Sequence, residues 1–293
     1  MGDVGYLSRS YNNWLHRTVF RRDIRLRRGA CNAINTTETV TKVAQHIRQN
    51  GYYLGDNQDL NIEISNLSIF SDELLFKDLS QVQAERKRSG SSKKYWLDFL
   101  GDCTESDLED LLASILYNRQ LLNICSLYLK EVPLFAYASL FYSPPGAGQL
   151  NMGSMNWHLD NECGSQLKLF VPLLEVNSLA GPTEILSREF SEIKKYPNYP
   201  GYFDDNQFLD AGLDSNGIFK FVSPVGKFLL ADTSQVFHRG SRTQEKPRLQ
   251  LIVAFTPLSG NRLPIKKFKK VDPRGKYPGI NNMIAKIMES KFD

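Results

Sequence analysis

The chain has 293 residues, of which 41% are hydrophobic, 23% charged and 11% aromatic, with a formal net charge of +4. Its mean hydropathy is −0.36, and these values together exclude wholesale disorder and fibrous repeats. No run approaches the roughly 20 apolar residues of a spanning helix, and the opening MGDVGYLSRSYNNWLHR has no apolar stretch resembling a signal peptide, so the cytoplasm is the expected location.

The charge is unevenly placed. Residues 1–28 carry seven basic side chains against two acidic ones, a net +5, and residues 262–276 carry seven against one, a net +6, so 29–261 are acidic. Leu7, Tyr11, Trp14 and Leu15 give the first segment an apolar face. Two readings follow: weak peripheral contact of the basic ends with anionic lipid, or a solvated basic helix docked on the acidic body, the latter being expected. Cys31, Cys103, Cys125 and Cys163 form no CxxC pair, which predicts reduced thiols rather than a zinc finger or a disulfide framework.

The first half reads as helical. Thr36 or Thr37 caps a helix with apolar residues Val40, Val43, Ala44 and Ile47, Gly51 stops it, and an extended GYYLG follows. Residues 71–88 predict a second helix, closed by the flexible stretch 89–94. Ser106 and Glu109 make a capping-box pattern, from which an apolar stripe runs through Leu108, Leu111, Leu112, Ile115 and Leu116 towards Leu129 as one long helix. From residue 133 the period becomes strand-like. LFAYASLFY, QLKLFVPLL, PTEIL, IFKFVSP, GKFLLAD and RLQLIVAFTPL predict six or more short strands, hence a double-sheet jelly roll or barrel. The expected organisation is a helical region at 1–130 packed on the core, a β-rich core at 131–262 and a basic tail at 263–293. Within the core, residues 188–217 read as a lid or binding loop carrying Tyr196, Tyr199, Tyr202, Phe203 and Phe208.

Chemistry concentrates in two of the four histidines. In MNWHLDNE, His158 and Asp160 are two apart, so on extended chain both face one side and can meet one ion. Glu162 shares that face, but its Cα lies roughly 13 Å from that of His158. His238 arrives in FLLADTSQVFHRGSR after enough chain to cross the sheet and return. Two imidazoles and one carboxylate leave open positions, the arrangement suited to a non-haem ferrous iron. Arg248 opens the strand RLQLIVAF and can clamp a dicarboxylate through its guanidinium fork.

WHLD, KLFVPL, AGPTEIL, GKFLLADTSQVFHRG and PRLQLIVAF, in that order over about 134–258, resemble the phytanoyl-CoA dioxygenase-like branch of the iron(II)- and 2-oxoglutarate-dependent oxygenases. The resemblance implies a double-stranded β-helix core, jelly-roll and cupin-like, with N-terminal helices packed around it. It also implies His158, Asp160 and His238 as iron ligands and Arg248 on the C5 carboxylate of 2-oxoglutarate. Hydroxylation of a small molecule with O2, releasing succinate and carbon dioxide, is the implied activity. Where relatives often read GPxxxxPGSH, this chain has GPTEILSREF. Lys168 resembles a basic residue of part of the family and either helps bind the cosubstrate or faces outward; Ser241 either donates to the same carboxylate or is a turn serine. Trp157 is expected to wall the site, and Asp232 to shape the turn in LADTS. No nucleic acid is expected as partner, and oligomeric state stays open. So does another class, a cupin-like metal-binding isomerase or non-catalytic binding protein on the same fold, for which a dicarboxylate clamp at Arg248 has no use.

Overall fold

The computed structural model describes residues 18, 20–34, 36–60, 77–88, 95–98, 111–112, 114–161, 163–191, 201–213, 215–240 and 242–260. The basic segment 1–17, the loop at 89–94, the Ser106 and Glu109 capping pattern, Cys103, Glu162, Tyr196, Tyr199, Ser241 and the tail 263–293 lie outside them. No helix among the described residues is long and apolar enough to cross a membrane, and Cys31, Cys125 and Cys163 are not joined in disulfides.

Helix Arg21–Asn32 buries Ile24, Arg27 and Ala30. A buried arginine in an amphipathic helix demands acceptors. Arg27 finds them in the carbonyls of Val132 and Pro133, at 3.2 and 3.1 Å, and Arg28 lies 3.5 Å from Glu131. Part of the basic N-terminal region is thus docked on the body. Helix Glu38–Asn50 starts where the Thr37 side chain accepts from Val40 N and ends at Gly51, whose φ of 86° only glycine adopts without strain. Of the helix expected at 71–88, the described residues 77–78 are not helical, and helix Leu79–Arg88 starts after Asp78, whose Oδ1 accepts from Gln81 N at 2.9 Å. The long apolar stripe is not one helix. Asn118 leaves helical geometry at ψ 113° and its side chain caps Leu121 N, so a new helix, Arg119–Leu129, begins there. An asparagine offers the backbone a local acceptor, and this outcompetes continuation of the helix although the apolar spacing runs on.

The β strands are β1 (Tyr52–Asp56), β2 (Leu97–Asp98), β3 (Leu134–Ser143), β4 (Leu167–Pro172), β5 (Glu184–Leu186), β6 (Ile218–Lys220), β7 (Lys227–Ala231), β8 (His238–Arg239) and β9 (Arg248–Thr256). They form a six-stranded sheet in the order β1-β7-β4-β9-β3-β2 and a three-stranded sheet β6-β5-β8, all pairs antiparallel. This is the double-stranded β-helix, a jelly roll with helices laid against its larger sheet. The extended GYYLG becomes the edge strand β1, paired with β7.

Strand periodicity divides the large sheet into two faces. Leu167, Leu169 and Val171 of β4 and Leu249, Leu251 and Val253 of β9 join the helices in one apolar cluster. The intervening Lys168, Phe170, Arg248, Gln250 and Ile252 line a cavity between the sheets instead. In β3 a bulge between Phe135 and Tyr137 shifts the alternation, placing Phe135 in the helix-side cluster and Tyr137 and Phe141 in the cavity. The segment at 188–217, expected as a lid or binding loop, contains a short helix Asp205–Asp210 whose Phe208 is buried, and Phe203 is buried with it.

Gly51 links the helices to the sheet: its carbonyl accepts from Asp232 N at 2.9 Å, and a Cβ there would come 2.1 Å from Val236 Cγ1. Gly51→Ala is expected to cost about 2–4 kcal/mol, from left-handed strain plus overpacking. Urea unfolding followed by circular dichroism checks this, and a loss below about 0.5 kcal/mol contradicts the packing described.

Candidate metal centre

His158 and His238 meet through backbone pairing. His158 N donates to His238 O and His238 N to His158 O, each at 3.0 Å, an isolated antiparallel bridge that sets the two rings 4.2 Å apart. Each Nδ1 faces a carbonyl two residues back, Asn156 O at 2.8 Å and Val236 O at 3.2 Å. A carbonyl only accepts, so each Nδ1 carries a proton and each Nε2 is the ring atom turned towards Asp160. Asp160 is fixed by its own N–H on Thr233 O at 2.9 Å. Its Oδ1 lies 3.7 Å from His158 Nε2 and its Oδ2 3.4 Å from His238 Nε2. One ligand atom from each of the three residues falls within 4.8 Å of the others. The sequence separation of His158 from His238 is therefore closed by the sheet.

The electrostatics suit a cation. Burial, and secondly His158, push His238 down to about 3, so its ring is neutral at physiological pH. Burial raises the Asp160 carboxyl, but the Lys168 ammonium, the two histidines and the Lys168 hydrogen bond together outweigh it and hold the group well below the usual carboxylate range. Lys168 does not face outward: it is 6% exposed and its Nζ donates to Asp160 Oδ2 at 2.6 Å. Gln166, which sequence reasoning missed, reaches the same oxygen at 3.3 Å while donating to Thr233 Oγ1 at 2.8 Å. The alternation of β4 was the signal that could have found Lys168's direction; Gln166 precedes the strand and had no such signal.

Arg248 reaches the same cavity, of about 570 Å³, which also exposes Trp96, Tyr137, Phe141, Phe170 and Tyr202. The guanidinium is buried, donating through Nη1 to Gly181 O at 2.7 Å and to Thr183 Oγ1 at 3.4 Å. Burial pushes it down to about 10, which leaves it cationic. Gly240 lies against it: a Cβ there would sit 3.1 Å from Nη1. Trp157 does not wall the cavity. It stacks on Phe208 with ring centroids 4.5 Å apart and lies under Arg239 at 4.4 Å, in the satellite cluster with Phe203 and Phe237. Asp232 shapes its turn, accepting from Ser234 N and Oγ at 3.1 and 2.6 Å, and from Tyr128 and Ser165.

Tyr202, whose ring lies 5.4 Å from that of His158, is held over the cavity by its neighbours. Asp205 pairs with Arg239 and, at 2.8 Å, with Arg242. Arg242 also donates to Met155 O at 2.7 Å and Asn151 Oδ1 at 2.8 Å. In Asp205→Ala the amides of 205–211 should exchange with solvent at least about tenfold faster while those of β4 and β9 keep their protection. Equal protection in the variant contradicts a latch at Asp205.

No protein-family model and no curated protein sequence matches this chain. Solved structures do. The non-heme alpha ketoglutarate dependent epimerase SnoN from nogalamycin biosynthesis is 12% identical over 74% of this chain and 83% of its own, with a TM-score of 0.46. EctD from S. alaskensis with bound Fe is 15% identical over 85% and 89%, at 0.47. AviO1 from Streptomyces viridochromogenes Tue57 is 13% identical over 78% and 100%, at 0.45. These are distant likenesses.

Proposed function

We propose that this chain is an iron(II)- and 2-oxoglutarate-dependent oxygenase that hydroxylates a small molecule. One observation carries the reading: His158, Asp160 and His238 converge within 4.8 Å in the same cavity as the buried cation Arg248. Two imidazoles and a carboxylate, with room left for further ligands, fit ferrous iron better than a closed tetrahedral zinc site. A bound iron(II) with 2-oxoglutarate and O2 supplies the oxidising chemistry, with succinate and carbon dioxide as products.

The protein's part is positioning. The backbone carbonyls of Asn156 and Val236 orient the two imidazoles, a preorganisation that raises their donor strength. Arg248 offers a dicarboxylate a charge-assisted contact, and Gly181 and Thr183 hold its guanidinium in place. Trp96, Tyr137, Phe141 and Phe170 give the cavity apolar walls, suited to an apolar or ring-bearing substrate and to keeping water from the reacting atoms. A cupin-like isomerase leaves Arg248 without a use.

His158→Ala, Asp160→Ala and His238→Ala are each expected to lose iron binding with the far-ultraviolet circular dichroism spectrum retained. Stoichiometric iron in purified His238→Ala sinks the ligand assignment. Arg248→Ala should keep iron but raise the 2-oxoglutarate requirement by about 100-fold or more, since truncation leaves a carboxylate unpaired at a cost of several kcal/mol. Arg248→Lys should recover part of this, a point charge lacking the fork. Succinate formation against 2-oxoglutarate concentration reads both, and unaltered affinity in Arg248→Ala removes the distinction from the isomerase class.

A further inference from the structure

Lys168 carries the inference, which rests on the metal site proposed above. It sits in β4 opposite Ala231 of β7 and Ala254 of β9, two small neighbours that leave room for its stem. The ammonium lies 5.4 Å from the centre of the Tyr137 ring and donates to Asp160 Oδ2 at 2.6 Å. Its side chain is 8% exposed and that of Asp160 13%. The pair is therefore a nearly enclosed ion pair, compensated within the protein.

Such a pair has two consequences of opposite sign. A divalent cation approaching Asp160 meets a carboxylate already bound to one positive charge, and that charge repels it at short range in a medium that screens poorly. An anion entering the same cavity is attracted by the same ammonium. Lys168 lines that cavity together with Arg248. We propose that Lys168 is an internal counter-ion that weakens divalent-cation binding by His158, Asp160 and His238 and strengthens the binding of a dicarboxylate beside them. A lysine that only props up the site behaves differently: its removal weakens both ligands. Gln166 makes the distinction measurable, because it continues to hold Asp160 Oδ2 from its anchor on Thr233 when Lys168 is replaced.

The test uses the full chain without turnover. Mn(II) dissociation constants come from electron paramagnetic resonance, and 2-oxoglutarate dissociation constants of the Mn(II)-loaded protein come from calorimetry. Lys168→Met and Lys168→Gln should each bind Mn(II) about tenfold or more tighter and 2-oxoglutarate about tenfold or more weaker, while Lys168→Arg stays near wild type in both. The glutamine variant keeps a hydrogen-bonding group without charge, so agreement between Met and Gln assigns the effect to charge, and Gln serves if Met does not fold. Thermal melting of the metal-free proteins checks folding. Weaker binding of both ligands, or no shift in either, overturns the role of Lys168. Wild-type protein that takes up no Mn(II) overturns the metal-site reading itself.

Discussion

Side chains on a strand alternate faces, and in β4 and β9 that alternation sorts leucine and valine from charge. Leu167, Leu169, Leu249 and Leu251 pack against the helices, while Lys168 and Arg248 turn into the cavity. A slip of one residue would drive an ammonium and a guanidinium into the helix-side core and expose the leucines. Burying either charge among apolar groups costs several kcal/mol. Register, core packing and site chemistry are thus one constraint, and the apolar spacing that folds the sheet also aims the groups that do chemistry.

Among the described residues three cations are buried, Arg27, Lys168 and Arg248, and each is satisfied differently. Arg27 donates to two carbonyls at the start of β3, which pins a helix. Arg248 donates to the neutral oxygens of Gly181 and Thr183, which orient a charge without cancelling it. Lys168 donates to a carboxylate, which does cancel it. Only the second arrangement leaves a full positive charge facing the cavity, which is what suits Arg248 to the role proposed for it.

Where one physical effect dominates locally, the sequence was legible. Thr37 and Gly51 bound their helix as caps should, and the alternating runs at 134–142, 167–172 and 248–256 are strands. His158 and Asp160 share a face because two residues of extended chain put them there. Legibility ended where a tertiary partner decides. Asn118 breaks the apolar stripe because its side chain caps Leu121 N, a choice that spacing does not encode. Trp157 adjoins His158 in sequence but points the other way, onto Phe208, as alternation along extended chain requires. Lys168 acquires its meaning from Asp160, and the chain between them is not a strand whose faces can be counted.

The cavity's two sides are held by interactions of different strength. On one side Asp160 connects to the core through buried contacts: Gln166 Nε2 reaches its carboxylate, Gln166 N donates to Asp232 at 3.3 Å, and Tyr128 of helix Arg119–Leu129 donates to Asp232 at 2.7 Å. Asp232 is fully buried, so moving this side means breaking hydrogen bonds to a desolvated carboxylate. On the other side Phe203, next to Tyr202, pairs with Trp157 through backbone bonds at 2.8 and 2.9 Å, while the helix that follows is tied down by the Asp205 pairs, whose carboxylate is 55% exposed and therefore screened by solvent. Of these contacts, the Asp205 pairs break at lower cost than the hydrogen bonds to Asp232.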